Sequence, residues 1–425
     1  MASSSKAFFK LLSGSAGVTC VKTLVAFAVN KFLAVVLGPA SFACVAQFQN
    51  VMAIGQAGSS LALQNGWVSL TAGNKALPSK LRGVWRGGFR LTIFATFGLV
   101  VVGALFASFA PLAELFPGVP ERYVRAAVIF AIPGVACANV TAICAAVMNG
   151  LGRYKRWAAI SISASCLQAL WVVILISTKT LSLLSVIATQ SILTAFVSLA
   201  VAKKAGFSFD AIRSNEAHNA ETFAPWKSFA LMGLAPMLLT PLVLTAVRYA
   251  LASRAGWEVA GLWQGVYRIS DFFNVAVSSA LGVILLPKVS QKMDSAEFKR
   301  TFYPLLLRTL AIALVLCLAV FFLRDLVVAV FLSSAFAEAG LLIPWQLIGD
   351  FFHSGGWCVG LVLVARRETK KFLAFELLSQ AFFLCSTLLL LNLVDAYAPV
   401  FAYAIENFLY FVCVLIAVGK LRWSR

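Results

Sequence analysis

Five windows of this chain, 91–110, 126–149, 157–178, 180–202 and 228–247, run for twenty residues or more without one charged side chain. A helix rises about 1.5 Å per residue and a bilayer's hydrocarbon core is about 30 Å thick, so roughly 20 apolar residues make one crossing. Seven further windows qualify with polar interruptions: 11–37, 41–70, 258–287, 303–323, 339–365, 372–394 and 396–419. The stretch 325–334 is too short to cross and is expected at the interface. Only 12% of the residues are charged, about half the share of an ordinary soluble domain. So few charges cannot cover a globule of this size, so most of the surface must face lipid. The expected fold is an all-α integral membrane protein with about twelve transmembrane helices.

The loops fix an orientation. With both termini in the cytoplasm, the inner segments and span ends hold 26 of the 35 Lys and Arg, and the outer ones hold six: Arg122, Arg125, Lys179, Arg248, Arg254 and Arg324. Basic residues accumulate on the cytoplasmic side of membrane proteins, so the bias supports the count and the orientation together. The formal net charge of +19 belongs to this pattern and not to a nucleic-acid-binding module, because no soluble basic patch exists. The first residues carry no A-x-A-like cleavage site and run into the first span, so an uncleaved start is expected.

The longest polar segment lies mid-chain. It predicts six helices in 1–206, a cytoplasmic linker at 207–224 and six helices in 225–425. The halves share a short echo, Ala46–Val51 against Gly261–Val266, each near the start of its half's second span. From each Gln a polar stripe continues at helical spacing: Gln49, Gln56, Ser60 and Gln64 in the first half, and Gln264, Arg268, Asp271, Asn274 and Ser278 in the second. A spacing near 3.6 residues puts each stripe on one helix face. Internal repeats around a binding site are a common transporter plan.

Charge inside a span costs about 2.5–3.5 kcal/mol on insertion scales, so each such residue needs a reason. Lys22 lies twelve residues past Lys10, roughly 18 Å along a helix, too deep for easy snorkelling. Lys31 is close enough to Gly38–Pro39 to snorkel outward and lies on the opposite face of the helix from Lys22. Arg268 and Asp271 form an i,i+3 pair that is either a ligand site or a self-neutralising ion pair. Asp350 and His353 are also i,i+3, and Asp350 is the harder of the two to explain as packing. Glu376 is near an interface, whereas Glu406 is deep enough for a cavity-facing or protonated carboxyl. Pro236 and Pro241 can kink the seventh span.

Enzyme chemistry finds little to work with. The chain has no G-x-S-x-G or Walker motif, no metal-ligand spacing, two histidines and 16 acidic residues. Its nine cysteines lie in apolar runs with no C-x-x-C pair, so neither a zinc nor a redox site is expected. No catalytic residue, metal or cofactor is assigned.

Trp257–Gln291 resembles the Wzx-type flippases of bacterial polysaccharide assembly, within the multidrug/oligosaccharidyl-lipid/polysaccharide exporter (MOP) superfamily, and looks closest to the enterobacterial common antigen branch. Val21–Ala40 is similar in both lysines and its Gly-Pro end. Leu231–Arg248, Trp345–Asp350 (WQLIGD) and Glu376–Gln380 (ELLSQ) follow in the family's order, so the resemblance covers essentially the whole chain. It implies two six-helix bundles around a central cavity in the bacterial inner membrane. The implied substrate is a short glycan, of common-antigen or O-antigen type, on undecaprenyl pyrophosphate, moved from the cytoplasmic to the periplasmic leaflet by alternating access. On this resemblance Lys22, Lys31, Arg248 and Arg268 are the cations that would meet the pyrophosphate. Gln49, Gln56, Gln64, Gln264 and Asn274 would face the glycan, and Asp271, Asp350 or Glu406 would couple an ion. Arg268 and His353 depart from the family pattern. Membrane lipid and other assembly proteins, a polymerase and a chain-length regulator, are the implied partners.

Two competitors share some of these features. A MATE-like multidrug antiporter would have the same fold but an acidic cavity. A membrane glycan polymerase would need a sizeable periplasmic loop, and every expected outside loop is short.

Overall fold

The computed structural model describes residues 2–117, 119–179, 182, 185, 186, 193, 196, 197, 200, 224–285, 289, 294–366 and 368–420. For residues 2–16, 224, 225, 228, 231, 232, 279, 280 and 282–284 only the backbone is described. Most of the expected sixth span, 180–202, and all of the 207–224 linker except Ala224 lie outside the described residues, as do the expected inner-loop cations Lys203, Lys204, Arg213, Lys288, Lys292, Arg367, Arg422 and Arg425.

The first helix is too long for one crossing. α1 (Ala2–Ser60) has 59 residues, against the roughly 20 that a bilayer takes. It bends at Gly38 (φ 70°, ψ 177°). Glycine reaches that left-handed φ without the Cβ penalty, and Pro39 has the fixed φ that suits a helix start. A second break corrects the expectation of one continuous span over 41–70. Leu61 and Ala62 take φ of 49° and 51°, the chain turns, and α2 (Gln64–Asn74) begins afresh. Gln64 therefore does not extend the α1 stripe.

The remaining helices follow the expected windows more closely. They are α3 (Pro78–Phe109), the short α4 (Leu112–Leu115), α5 (Glu121–Gly150), α6 (Tyr154–Ser177), α7 (Ala224–Ala255), α8 (Trp257–Ile284) and α9 (Ser295–Phe322). After them come the short α10 (Arg324–Phe331), a 3₁₀ turn (Ser334–Leu341), α11 (Ile343–Ala365), α12 (Thr369–Val394) and α13 (Ala398–Gly419). The helix of α7 runs on through both Pro236 and Pro241. Among the described residues there is no strand.

This is an integral membrane protein. Eight helical segments among the described residues are long and apolar enough to cross a bilayer. Two of them, Gly17–Asn74 and Thr369–Gly419, have 58 and 51 residues, enough for two crossings each. Only 11% of the most apolar stretch of Pro78–Phe109 is buried in protein. Phe94, Phe109, Phe322 and Leu393 are each more than three-quarters exposed, an arrangement that hydrocarbon solvates and water does not.

The chain divides into two units. One comprises Met1–Phe32 and Cys44–Leu242, the other Leu33–Ala43 and Val243–Arg425. The border in α7 falls next to Pro241, and the stretch of α1 around Gly38 belongs to the second unit. In the first unit, Trp226 of α7 packs on Trp67 of α2 with ring centroids 4.8 Å apart. Gly88 of α3 leaves room for it, since a Cβ there would lie 2.6 Å from the Trp226 ring. In the second unit, Gly261 of α8 meets the backbone of Pro39, where a Cβ would lie 2.0 Å from the carbonyl oxygen. Gly349 of α11 accepts the Tyr403 ring of α13 in the same way, at 2.2 Å.

Candidate functional site

Two polar regions are set into this apolar frame, one in each unit. The first is a cavity of about 280 Å³ in the first unit, lined by α1, α5 and α6 together with Leu193 and Val197. Its open space comes from small side chains. Ala138, Ala142 and Ala145 recur along one face of α5, and Ala164 faces them from α6. Interiors otherwise pack to crystal-like density. Around that space stand Lys22 and Gln56 of α1, Thr141 of α5, and Ser161, Ser165 and Gln168 of α6. Ser165 returns its hydroxyl to the Ser161 carbonyl at 3.2 Å. The side chains of Lys22, Gln56, Thr141, Ser161 and Gln168 make no hydrogen bond or ion pair with any described residue. The Thr141 Oγ1 is itself buried. Among the described residues that line the cavity none is acidic, and Lys22 is the charged one.

The second region is a network of side chains bonded to one another in the second unit. Asp350 of α11 is fully buried. Its Oδ1 accepts from Ser270 of α8, from Asn274 Nδ2 at 3.1 Å and from the Tyr403 hydroxyl at 3.1 Å. Gln346 Nε2 donates to Ser270 Oγ at 3.0 Å. Asp350 Oδ2, Asn274 Oδ1 and Gln346 Oε1 are buried oxygens that accept from no described residue. A second carboxyl, Glu406 of α13, accepts from Ser379 of α12 and from Asn407 Nδ2 at 2.5 Å. Asn407 Oδ1 in turn meets His353 Nδ1 at 2.8 Å, and the His353 and Tyr403 rings lie 6.3 Å apart. Glu376 accepts from Tyr410 at 2.9 Å. The 3.6-residue period explains the assembly: Ser270 and Asn274 are i,i+4 on α8, and Gln346 and Asp350 are i,i+4 on α11.

The expected site residues divide between these regions. Lys22 and Gln56 share the first cavity, while Gln49, Gln64 and Lys31 do not line it. Asp350 and Asn274 sit in one network, and Glu406 in the adjoining one. Arg248 is buried at 1% exposure, and its Nε and Nη2 donate to Gln264 Oε1 at 3.2 and 2.5 Å. Its guanidinium also lies 5.8 Å from the Trp263 ring centre. Arg268 and Asp271 form an ion pair at 3.9 Å. Sequence reasoning did not single out Thr141, Ser161, Ser165, Gln168, Ser270 or Tyr403. The one available signal was spacing, since Ser161, Ser165 and Gln168 recur at i, i+4 and i+7.

No protein-family model matches the chain. Over 148 residues it is 28% identical to the lipid III flippase of Escherichia coli (strain K12), and it matches that of Shigella flexneri equally. This stretch is 35% of the chain and 36% of each relative, so the match spans about a third of their length. Among solved structures, an inward-facing multidrug resistance MATE family transporter of the MOP superfamily superposes with a TM-score of 0.70 at 13% identity, covering 94% of both chains. An outward-facing one gives 0.64 at 13% identity, over 97% of this chain and 96% of the other. A MOP superfamily transporter from Pyrococcus furiosus, described as having a binding pocket of reverse polarity that suggests a different function, gives 0.63 at 13% identity over the same shares. At such identities the likeness carries the fold. The chain thus has the fold of the MOP-superfamily transporters, and its resemblance to the Wzx-type flippases is supported by the match to a lipid III flippase.

Proposed function

We propose that the protein is a flippase that turns an undecaprenyl-pyrophosphate-linked oligosaccharide from the cytoplasmic to the periplasmic leaflet of a bacterial inner membrane by alternating access. On this reading the chain crosses the bilayer twelve times with both termini in the cytoplasm. The two halves, 1–206 and 225–425, form six-helix bundles joined by 207–224. The observation that carries it is Lys22 without a described partner in a cavity with four other polar side chains that bond no described residue, the Thr141 hydroxyl among them buried. A cation within a membrane span without a counter-ion costs about 2.5–3.5 kcal/mol on insertion scales, and an anionic headgroup offsets that cost. A charge-assisted bond to phosphate is about twice as strong as a neutral one. Lys31 is the further cation of the first unit assigned to the pyrophosphate, while Arg268, ion-paired with Asp271, and Arg248, held by Gln264, support α8. The polyprenyl tail stays in the membrane throughout.

In this reading Asp350 is the strongest of the three candidates for ion coupling. One of its oxygens holds three donors, and the other accepts from no described residue. It can therefore take up a proton without breaking its network. Replacing it by Asn keeps the shape and removes the exchangeable charge, so transport by Asp350→Asn protein is expected to lose its dependence on the pH gradient.

The test is reconstitution. Proteoliposomes with the wild-type chain should turn over a pyrophosphate-linked glycolipid, and Lys22→Ala proteoliposomes should not. A Lys22→Ala protein that flips at the wild-type rate would sink the reading. Complementation of a flippase-null strain then identifies the glycan. A multidrug antiporter is the second reading, favoured by the fold of its solved neighbours. It predicts efflux of cationic drugs, which a cavity whose charged lining residue is a lysine disfavours.

A further inference from the structure

The flippase reading leaves four neutral groups in the first cavity without a task. Thr141 on α5 and Ser161, Ser165 and Gln168 on α6 line it together with Lys22 and Gln56. Ser161, Ser165 and Gln168 lie at i, i+4 and i+7, on one face of α6. An isolated Ser or Thr in a membrane helix ordinarily returns its hydroxyl to the carbonyl four residues back. Ser165 and Ser177 do so here. Thr141 and Ser161 do not, and the Thr141 hydroxyl oxygen is buried with no partner among the described residues. Gln168 is exposed and lines the cavity, and its amide is likewise free of any described partner.

We infer that this face of α5 and α6 reads the sugar bonded directly to the pyrophosphate. The inference rests on the flippase reading and deepens it. The free hydroxyls of Thr141 and Ser161 and the Gln168 amide, with Gln56 of α1 beside them, offer both donors and acceptors without charge, the complement of a neutral, hydroxyl-rich ring and not of a second anion. The size agrees. At about 280 Å³ the cavity falls just below the usual range of ligand pockets, roughly 300–1,000 Å³, so it has room for one ring with its phosphate and not for a whole oligosaccharide. Lys22 shares the space, which places the ring it reads next to the phosphate and leaves the distal sugars outside.

The test measures affinities of the purified full-length protein for two soluble probes, a short-chain polyprenyl pyrophosphate carrying one neutral hexose and the same lipid without the sugar. Gln168→Leu and the isosteric Thr141→Val should each weaken the sugar-bearing probe by about tenfold, about the value of one hydrogen bond. Both variants should leave the sugar-free probe within about twofold, a range smaller than one such bond. Lys22→Gln should weaken both probes. If Gln168→Leu and Thr141→Val leave both affinities unchanged, or lower the two together, the sugar-reading face is wrong while the flippase reading stands. If the wild-type protein binds neither probe, the flippase reading falls and this inference with it.

Discussion

The cavity of the first unit and the network of the second are made of similar residue types and are wired in opposite ways. In the first, a lysine, two glutamines, a threonine and a serine surround open space and leave one another alone. In the second, Asp350, Ser270, Asn274, Gln346 and Tyr403 bond one another through Asp350 Oδ1 and Ser270 Oγ, although Asp350 Oδ2, Asn274 Oδ1 and Gln346 Oε1 accept from no described residue. Buried polar groups that are satisfied rigidify a core, whereas unsatisfied ones carry a penalty that a ligand can remove. The same chemistry therefore serves reception in one unit and internal support in the other. What separates them is the alanine-lined gap between α5 and α6, set against the glycine at 349 that lets Tyr403 close on α11.

Four substitutions probe that contrast. The largest effect is expected from Lys22→Ala, which should slow glycolipid flipping by about a hundredfold, the loss of a charge-assisted bond of up to about 3 kcal/mol. Its thermal midpoint in detergent should not move, because Lys22 holds nothing in place. Asp350→Leu should do the reverse first. It strands the Ser270, Asn274 and Tyr403 donors and should cost about 2 kcal/mol of stability, read as a lowered unfolding midpoint. If Asp350→Leu were as stable as wild type, the network would not be structural and the contrast would fail. Gln56→Leu should reduce flipping by about tenfold, as one neutral hydrogen bond is lost, with stability retained. Gln64→Leu is the smallest. Gln64 opens α2 and does not line the cavity, so flipping should stay within about twofold of wild type, less than one hydrogen bond's worth. A large loss there would extend the receiving surface beyond the cavity.

Legibility in the sequence followed the cost of each residue. Lys22 and Asp350 stand out because charge in a span is expensive and few other reasons account for it. Gln56 was legible as part of a periodic stripe, though the stripe promised too much: Leu61 and Ala62 break the helix before Gln64. Thr141, Ser161 and Gln168 were silent because a lone hydroxyl or amide in a membrane helix is commonplace, and its own backbone usually absorbs it. Arg248 shows the converse. The resemblance set it against the pyrophosphate, yet it is buried against Gln264 and Trp263. No local pattern foretells a partner sixteen residues away on the next helix.

The sequence alone determined the solvent and most of the helices, though not the break at Leu61 and Ala62. Runs of some twenty uncharged residues admit helices in lipid, and the Gly38–Pro39 pair marks where the first of them must bend. Hydropathy is a local property, so it survives without knowledge of the fold. The tertiary structure alone decided which polar residues are left wanting a partner. That depends on which helix faces meet, and on whether alanines hold them apart or a glycine lets them close.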